Sequence, residues 1–259
     1  MAWQQRGGKY GKKSGQGKKT YDRKKPAYKE RTEEEQAPKV IHPGKITSIQ
    51  SQKKNRNRIS IFLDDKYAFG LHQDVLLQNN LYSGLDLNES DIKKLVDADA
   101  LLRAKEASIM YLGHRARSEH EVRTKLKGKG FSEEIIAQVI KRLYELSYLN
   151  DEQFALNFTR NRFNHKGYGP KRIQADLRRL GIPGPLIERA LDELLSENKV
   201  IDSALAEAEK RLRRLRRETD LTKKRKKLFD FLLRRGHTVD VVREVIDKLD
   251  LKAEPGPVD

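Results

Sequence analysis

The sequence predicts a mainly α-helical protein: three tandem three-helix repeats forming an elongated array, preceded by a small antiparallel β meander and a disordered basic tail. Three observations predict it. One helical pattern recurs around three glycines, the apolar fraction is too low for one large core, and strand-like periodicity is confined to a single short block.

The glycines are Gly130, Gly181 and Gly236, spaced 51 and 55 residues apart. Four positions before them stand Leu126, Leu177 and Leu232, and eight before stand Val122, Ile173 and Leu228. The pairs Ile135–Ile136, Leu186–Ile187 and Val241–Val242 follow each glycine at five and six positions. These are helical spacings on both sides of a residue suited to a left-handed turn, so each glycine ends one helix before the next begins. A further helical run precedes each pair: Ala98 to Leu112, Asp151 to Asn164, and Val200 to Arg217. Apolar residues, Tyr included, make up 36% of the 259 residues. Even with the 17 glycines added, this is short of the ~45–50% usual for globular domains. Several small cores in series fit that composition.

The expected boundaries follow. Residues 1–39 form the basic tail, 40–97 the β meander with short helices, 98–148, 149–198 and 199–252 the repeats, and 253–259 a C-terminal tail. Up to Arg31 the tail carries eleven Lys and Arg against Asp22 and Glu30, with almost no aliphatic side chains to bury. Trp3, Tyr10, Tyr21 and Tyr28 give it rings able to stack on bases. In the next block Ile59, Ile61 and Leu63 alternate with Ser60 and Phe62, and the Asp64–Asp65 turn leads to Tyr67, Phe69 and Leu71. That alternation predicts about three strands, followed by short helices near Gln73 to Asn79 and Glu89 to Val96. Local start signals agree with the helices. Ser118 and Glu121 have capping-box spacing, Asn150 or Asp151 suits the second unit, and Thr222 and Thr238 suit later caps.

The stretch "KGYGPKRI" falls where the middle unit's second helix begins, with Gly169 at the cap and Pro170 in the first turn. It lacks the spacing of a phosphate-binding loop, and no strand precedes it. The chain has no Cys, and its six His show no paired ligand spacing. Acidic pairs such as Asp64–Asp65 and Glu133–Glu134 read as a strand turn and a first helical turn. No catalytic, cofactor-binding or metal-ligating residue is assigned.

Net charge is +17, which points to polyanionic partners: DNA or RNA, a nucleoprotein, or an acidic protein surface. Cations cluster at related repeat positions. Unit 1 has Arg115, Arg117, Lys125, Lys127 and Lys129; unit 2 has Arg162, Lys166, Lys171 and Arg172. Unit 3 has Arg213, Arg214, Arg216, Arg217, Lys223, Lys224, Arg225, Arg234 and Arg235, within and beyond a run of eleven cations over Lys210 to Lys227. These residues form the expected partner and nucleic-acid surface. The chain offers no apolar run long enough for a membrane span and no heptad seam, so a monomer is expected in the cytoplasm.

The chain resembles the RecX family, bacterial regulators of the RecA recombinase, over roughly Ile46 to Leu249. The likeness is strongest in Tyr148, Leu149, Asp151, Phe154, Ala155, Phe158, Arg162, Gly167, Gly169, Pro170, Arg172, Ile173, Leu177, Gly181 and Ile182. Unit 1 adds Arg117, Ser118, Glu121, Leu126, Gly130, Phe131 and the pair Ile135 and Ile136; unit 3 adds Lys227, Leu228, Phe231, Leu232, Arg235 and Gly236. The resemblance implies a non-enzymatic protein that binds in the groove of the RecA–DNA filament. It further implies suppression of filament growth, ATP hydrolysis and strand exchange, with no small-molecule substrate. The residues alone leave open a general basic DNA- or RNA-binding protein without RecA specificity. The chain departs from the family pattern in its tail, and at His237 and Thr238, where an aromatic–Ser pair is expected.

Overall fold

The computed structural model describes residues 42–53 and 55–249, so the expectations for both tails lie outside the described residues. The N-terminal block is a sheet of β1 (Gly44–Gln52), β2 (Asn55–Leu63), β3 (Lys66–His72) and β4 (Asp86–Leu87), in the antiparallel order β3-β2-β1-β4. The expectation of about three strands is corrected to four. β4 pairs only Leu87 with Gly44 and Asp86 with Lys45, too short a stretch for alternation to be legible. Asp64 and Asp65 both take positive φ, 46° and 63°, as a two-residue hairpin turn between right-twisted strands requires.

The inward faces of the strands bury Ile46, Ile61 and Leu71 completely. Helix α1 (Gln73–Gln78) and the first half of α2 (Glu89–Leu112) close this core through Val75, Ile92 and Leu95. α2 starts in a capping box between Asn88 and Asp91 and runs unbroken through position 97. The short helix near Glu89 and the run from Ala98 are therefore one element, whose second half belongs to the next core through Ala104. Between the two halves lies Asp99, only 3% exposed. It pairs with Arg58 at 3.2 Å and Arg103 at 2.8 Å, and accepts from the His72 N–H at 2.7 Å. Two guanidiniums and a backbone donor compensate that buried carboxylate and tie the sheet edge to the helix.

Three similar units follow. Unit 1 joins the end of α2 to α3 (Glu119–Lys127) and α4 (Glu133–Glu145). Unit 2 is α5 (Asp151–Lys166), α6 (Pro170–Arg179) and α7 (Gly184–Leu194). Unit 3 is α8 (Glu197–Arg214), α9 (Leu221–Arg235) and α10 (Val239–Lys248). Each has its own small core. The repeat register holds at its central positions, since Val122, Ile173 and Leu228, and likewise Leu126, Leu177 and Leu232, are all 0% exposed.

Gly130, Gly181 and Gly236 take φ of +82°, +76° and +90°, a region in which a Cβ is strained. Ser118 with Glu121, Asn150, Gly169 with Pro170, and Thr238 stand at the expected helix starts. Asp220, not Thr222, caps α9, because the helix begins earlier than the repeat pattern suggests. α9 has 15 residues where α3 has 9 and α6 has 10, and that extra turn accounts for the longer second glycine spacing.

Candidate partner and nucleic-acid interface

Part of the cation set, around Arg115, Arg117, Lys171 and Arg172, lies where the units stack. In units 1 and 2 the start of the second helix receives the glycine turn of the following unit. Ser118 Oγ donates to the Leu180 carbonyl at 2.6 Å, one residue before Gly181. At the equivalent place the Gly169 N–H donates to the Arg235 carbonyl at 2.8 Å, and the Lys171 N–H to the Gly236 carbonyl at 3.1 Å. Asp151 adds a second tie at the first junction by accepting from the Glu119 N–H at 2.9 Å. Burial pushes the Asp151 carboxyl above its ordinary pKa; the Glu119 N–H opposes that shift and the Glu119 charge reinforces it.

Each unit also lays guanidinium groups over aromatic rings, covering a small core with long cationic side chains. Arg117 lies 4.2 Å above Tyr111, and Lys125 5.7 Å from the same ring. Arg162 lies 4.7 Å above Phe158, and Arg172 4.0 Å above Tyr168. In unit 3, Arg211 and Arg235 flank Phe231 at 5.5 and 5.1 Å. Arg211, one of the cations of the Lys210–Lys227 run, and these rings stand outside the expected surface set, although Arg211 follows Glu207 by four residues, a spacing that places both on one helix face.

Acids neutralise part of the expected set. Arg115 and Arg117 share Glu121 at 2.6 and 3.1 Å. Burial opposes ionisation of Glu121, but these two hydrogen bonds and the Ser118 N–H outweigh it and hold its pKa below the usual carboxylate value. Lys127 pairs with Glu133 at 2.8 Å, Lys223 with Asp220 at 3.3 Å and Arg235 with Glu207 at 3.2 Å. Among the described residues no ion pair engages Lys125, Lys129, Arg162, Lys166, Lys171 or Arg172. The same holds for Arg213, Arg214, Arg216, Arg217, Lys224, Arg225 and Arg234. Arg213, Arg214, Arg216 and Arg217 are exposed where α8 ends, and Lys223 and Arg225 are exposed in the first turns of α9. The C-terminus of α8 favours Arg213 and Arg214, but the dipole of α9 disfavours cations at its N-terminus. Only Asp220 at the cap, and Glu218 beside Lys227, offset it; the Lys223 N–H and the Lys227 ammonium respectively lower their pKa values.

No helix among the described residues is long and apolar enough to cross a membrane. Tandem three-helix units, each with its own core, define a helical repeat protein. Family models agree: the first, second and third three-helix domains of RecX match residues 104–143, 150–191 and 197–246. The N-terminal domain of regulatory protein RecX matches residues 44–88. The chain belongs to the RecX family of regulatory proteins.

It is 35% identical to regulatory protein RecX of Bacillus subtilis (strain 168) over 206 residues, covering 79% of this chain and 77% of that protein. It is 32% identical to that of Clostridium botulinum (strain Eklund 17B / Type B) over 203 residues, covering 78% and 94%. A crystal structure of regulatory protein RecX aligns with TM-score 0.61 and 30% identity, over 78% of this chain and 98% of that one. RecX from Lactobacillus salivarius aligns with TM-score 0.55 and 29% identity, over 60% and 99%.

Proposed function

We propose that this chain regulates the RecA recombinase as an inhibitor, lying in the groove of the RecA–DNA filament and suppressing filament growth, ATP hydrolysis and strand exchange. Membership of the RecX family supports the partner. The placement of charge supports the mode of action, and the observation that carries it is the α8–α9 corner. There Arg213, Arg214, Arg216 and Arg217 are exposed, and cations crowd a helix N-terminus that favours acids. Arg213 and Arg214 lie in the last turn of α8, where the helix dipole favours cations, but folding does not reward Lys223, Lys224 and Arg225 at the N-terminus of α9; an anionic partner does. Units in series spread many weak contacts along a filament, and effective concentration makes them add. Bridging neighbouring protomers would restrain the rearrangements that accompany ATP turnover.

The test is the RecA ATPase rate on single-stranded DNA, beside a salt titration of binding to free DNA. Reversing Arg213, Arg214, Arg216 and Arg217 to Glu is expected to abolish most inhibition while the thermal transition persists. Deleting residues 1–38 is expected to weaken free-DNA binding and flatten its salt dependence, yet spare most inhibition. Equal loss of inhibition per charge removed, wherever the charge sits, would instead identify a general basic nucleic-acid binder.

A further inference from the structure

Where units 1 and 2 meet, the surface opens into a groove of about 760 Å³ that charge alone does not explain. Phe154 and Phe158 line it, their rings stacked at 6.0 Å. Asn157 and Asn161 share it from the same helix, one turn apart. Arg115 enters from unit 1, and Tyr168 and Arg172 from the start of α6.

The groove has the composition of a stacking surface, with two cations available to an anion. Arg162 lies between two rings, 4.7 Å from Phe158 and 6.0 Å from Tyr168, and its Nε is buried without a hydrogen-bond partner. Arg172 covers Tyr168 and donates to the Arg234 carbonyl at 3.0 Å, yet remains exposed. The acid lining the groove, Asp176, is taken by Arg179 at 3.0 Å.

We propose that this groove binds single-stranded nucleic acid through its bases. A base stacks on the Phe158–Arg162–Tyr168–Arg172 series, the neighbouring phosphate meets Arg162 and Arg172, and the Asn157 and Asn161 amides face the base edge. Every base has a face that stacks on rings and guanidinium planes, so the site tolerates any sequence. A duplex keeps its bases stacked on each other and presents mainly phosphates. An acidic peptide would meet the same cations but gain no stacking. The inference deepens the function proposed above by giving its DNA contact a chemistry. It is tested without RecA, so the two readings fail separately.

The probes are fluorescent oligothymidylate and an abasic oligomer of equal length and phosphate count, titrated against the full chain at several salt concentrations. The thymidylate is expected to bind about tenfold more tightly. Asn161→Ala and Arg162→Gln are each expected to shrink that ratio toward one, with thermal melts confirming that both variants fold. On the unmodified protein, an oligomer carrying 5-iodouracil is expected to photo-crosslink to Phe158 or Tyr168. Equal affinity for the thymidylate and abasic strands would overturn the proposal. So would adducts found only outside the groove, on Trp3 or Tyr10 for example, or displacement by polyglutamate as effective as by thymidylate.

Discussion

At the junction of units 1 and 2 side chains bond to backbone groups, whereas at the junction of units 2 and 3 backbone bonds directly to backbone as well. Ser118 Oγ and the Asp151 carboxylate span the first. The N–H groups of Gly169 and Lys171 span the second, joined by Arg172 on the Arg234 carbonyl and Arg235 on that of Lys166. The difference follows from one residue at the helix start. A serine keeps the chains apart by its own reach, while a glycine lets two backbones touch. A Cβ on Gly169 would lie 2.5 Å from the Gly236 carbonyl carbon. The second junction therefore needs glycine on both faces, and the first only on one.

That comparison ranks the glycines. Gly236→Ala should have the largest effect, because φ is +90° and the new Cβ would sit 2.5 Å from the backbone nitrogen of Arg172. Strain and overpacking together should destabilise by about 2–4 kcal/mol, read as a shift of the urea midpoint. A wild-type midpoint would mean that the units do not meet as described.

Gly181→Val comes next. Its φ is +76° and its Cβ would meet His120 Cβ and, at 2.5 Å, His120 Cγ. Rotation of the exposed His120 moves its ring but not its Cβ, so α3 itself must give, yet the contact is to a side chain and not to backbone. Destabilisation of about 1–3 kcal/mol is expected. If this variant proves more harmful than Gly236→Ala, backbone contact is not what distinguishes the junctions.

Gly130→Ala isolates the conformational term. Its φ is +82°, yet nothing lies within 4 Å of an added Cβ, since no unit precedes it to receive the turn. A loss of about 1 kcal/mol is expected, the left-handed penalty alone. A loss as large as that of Gly236→Ala would dissolve the distinction between strain and contact.

Asp151→Asn should give the smallest change, visible only against pH. Burial raises the folded-state pKa of this carboxyl above its unfolded value. Its contribution to stability is then greatest below the unfolded pKa of about 4, and is lost as pH rises through the raised folded value. An asparagine can still accept from the Glu119 N–H without that dependence. The difference between variant and wild-type urea midpoints should thus move in the variant's favour as pH rises across the acidic range. A flat difference would mean that the bridge carries no titrating burden.

His237 marks a departure from the family pattern, and both of its ring nitrogens are buried without a hydrogen-bond partner. It is 1% exposed beside the second junction, and burial depresses its imidazole pKa.

The sequence by itself determined the three glycine turns and most helices and caps, Thr222 and the split of α2 being the exceptions, because each rests on interactions within a few residues: a side chain reaching the third N–H, or a φ that only glycine adopts without strain. The hairpin turn at Asp64–Asp65 and the cation-rich runs were legible for the same reason. Tertiary structure alone decided that Asp151, one of two residues suited to capping its own helix, reaches across to α3 while Asn150 takes the cap. It also decided that Arg115 and Arg162 open on one groove, and that Gly169 must be glycine because Gly236 lies against it. Those pairings join residues far apart in sequence, such as Ser118 and Leu180 at a separation of 62. Their geometry depends on how packed units stack, and local periodicity carries no record of that.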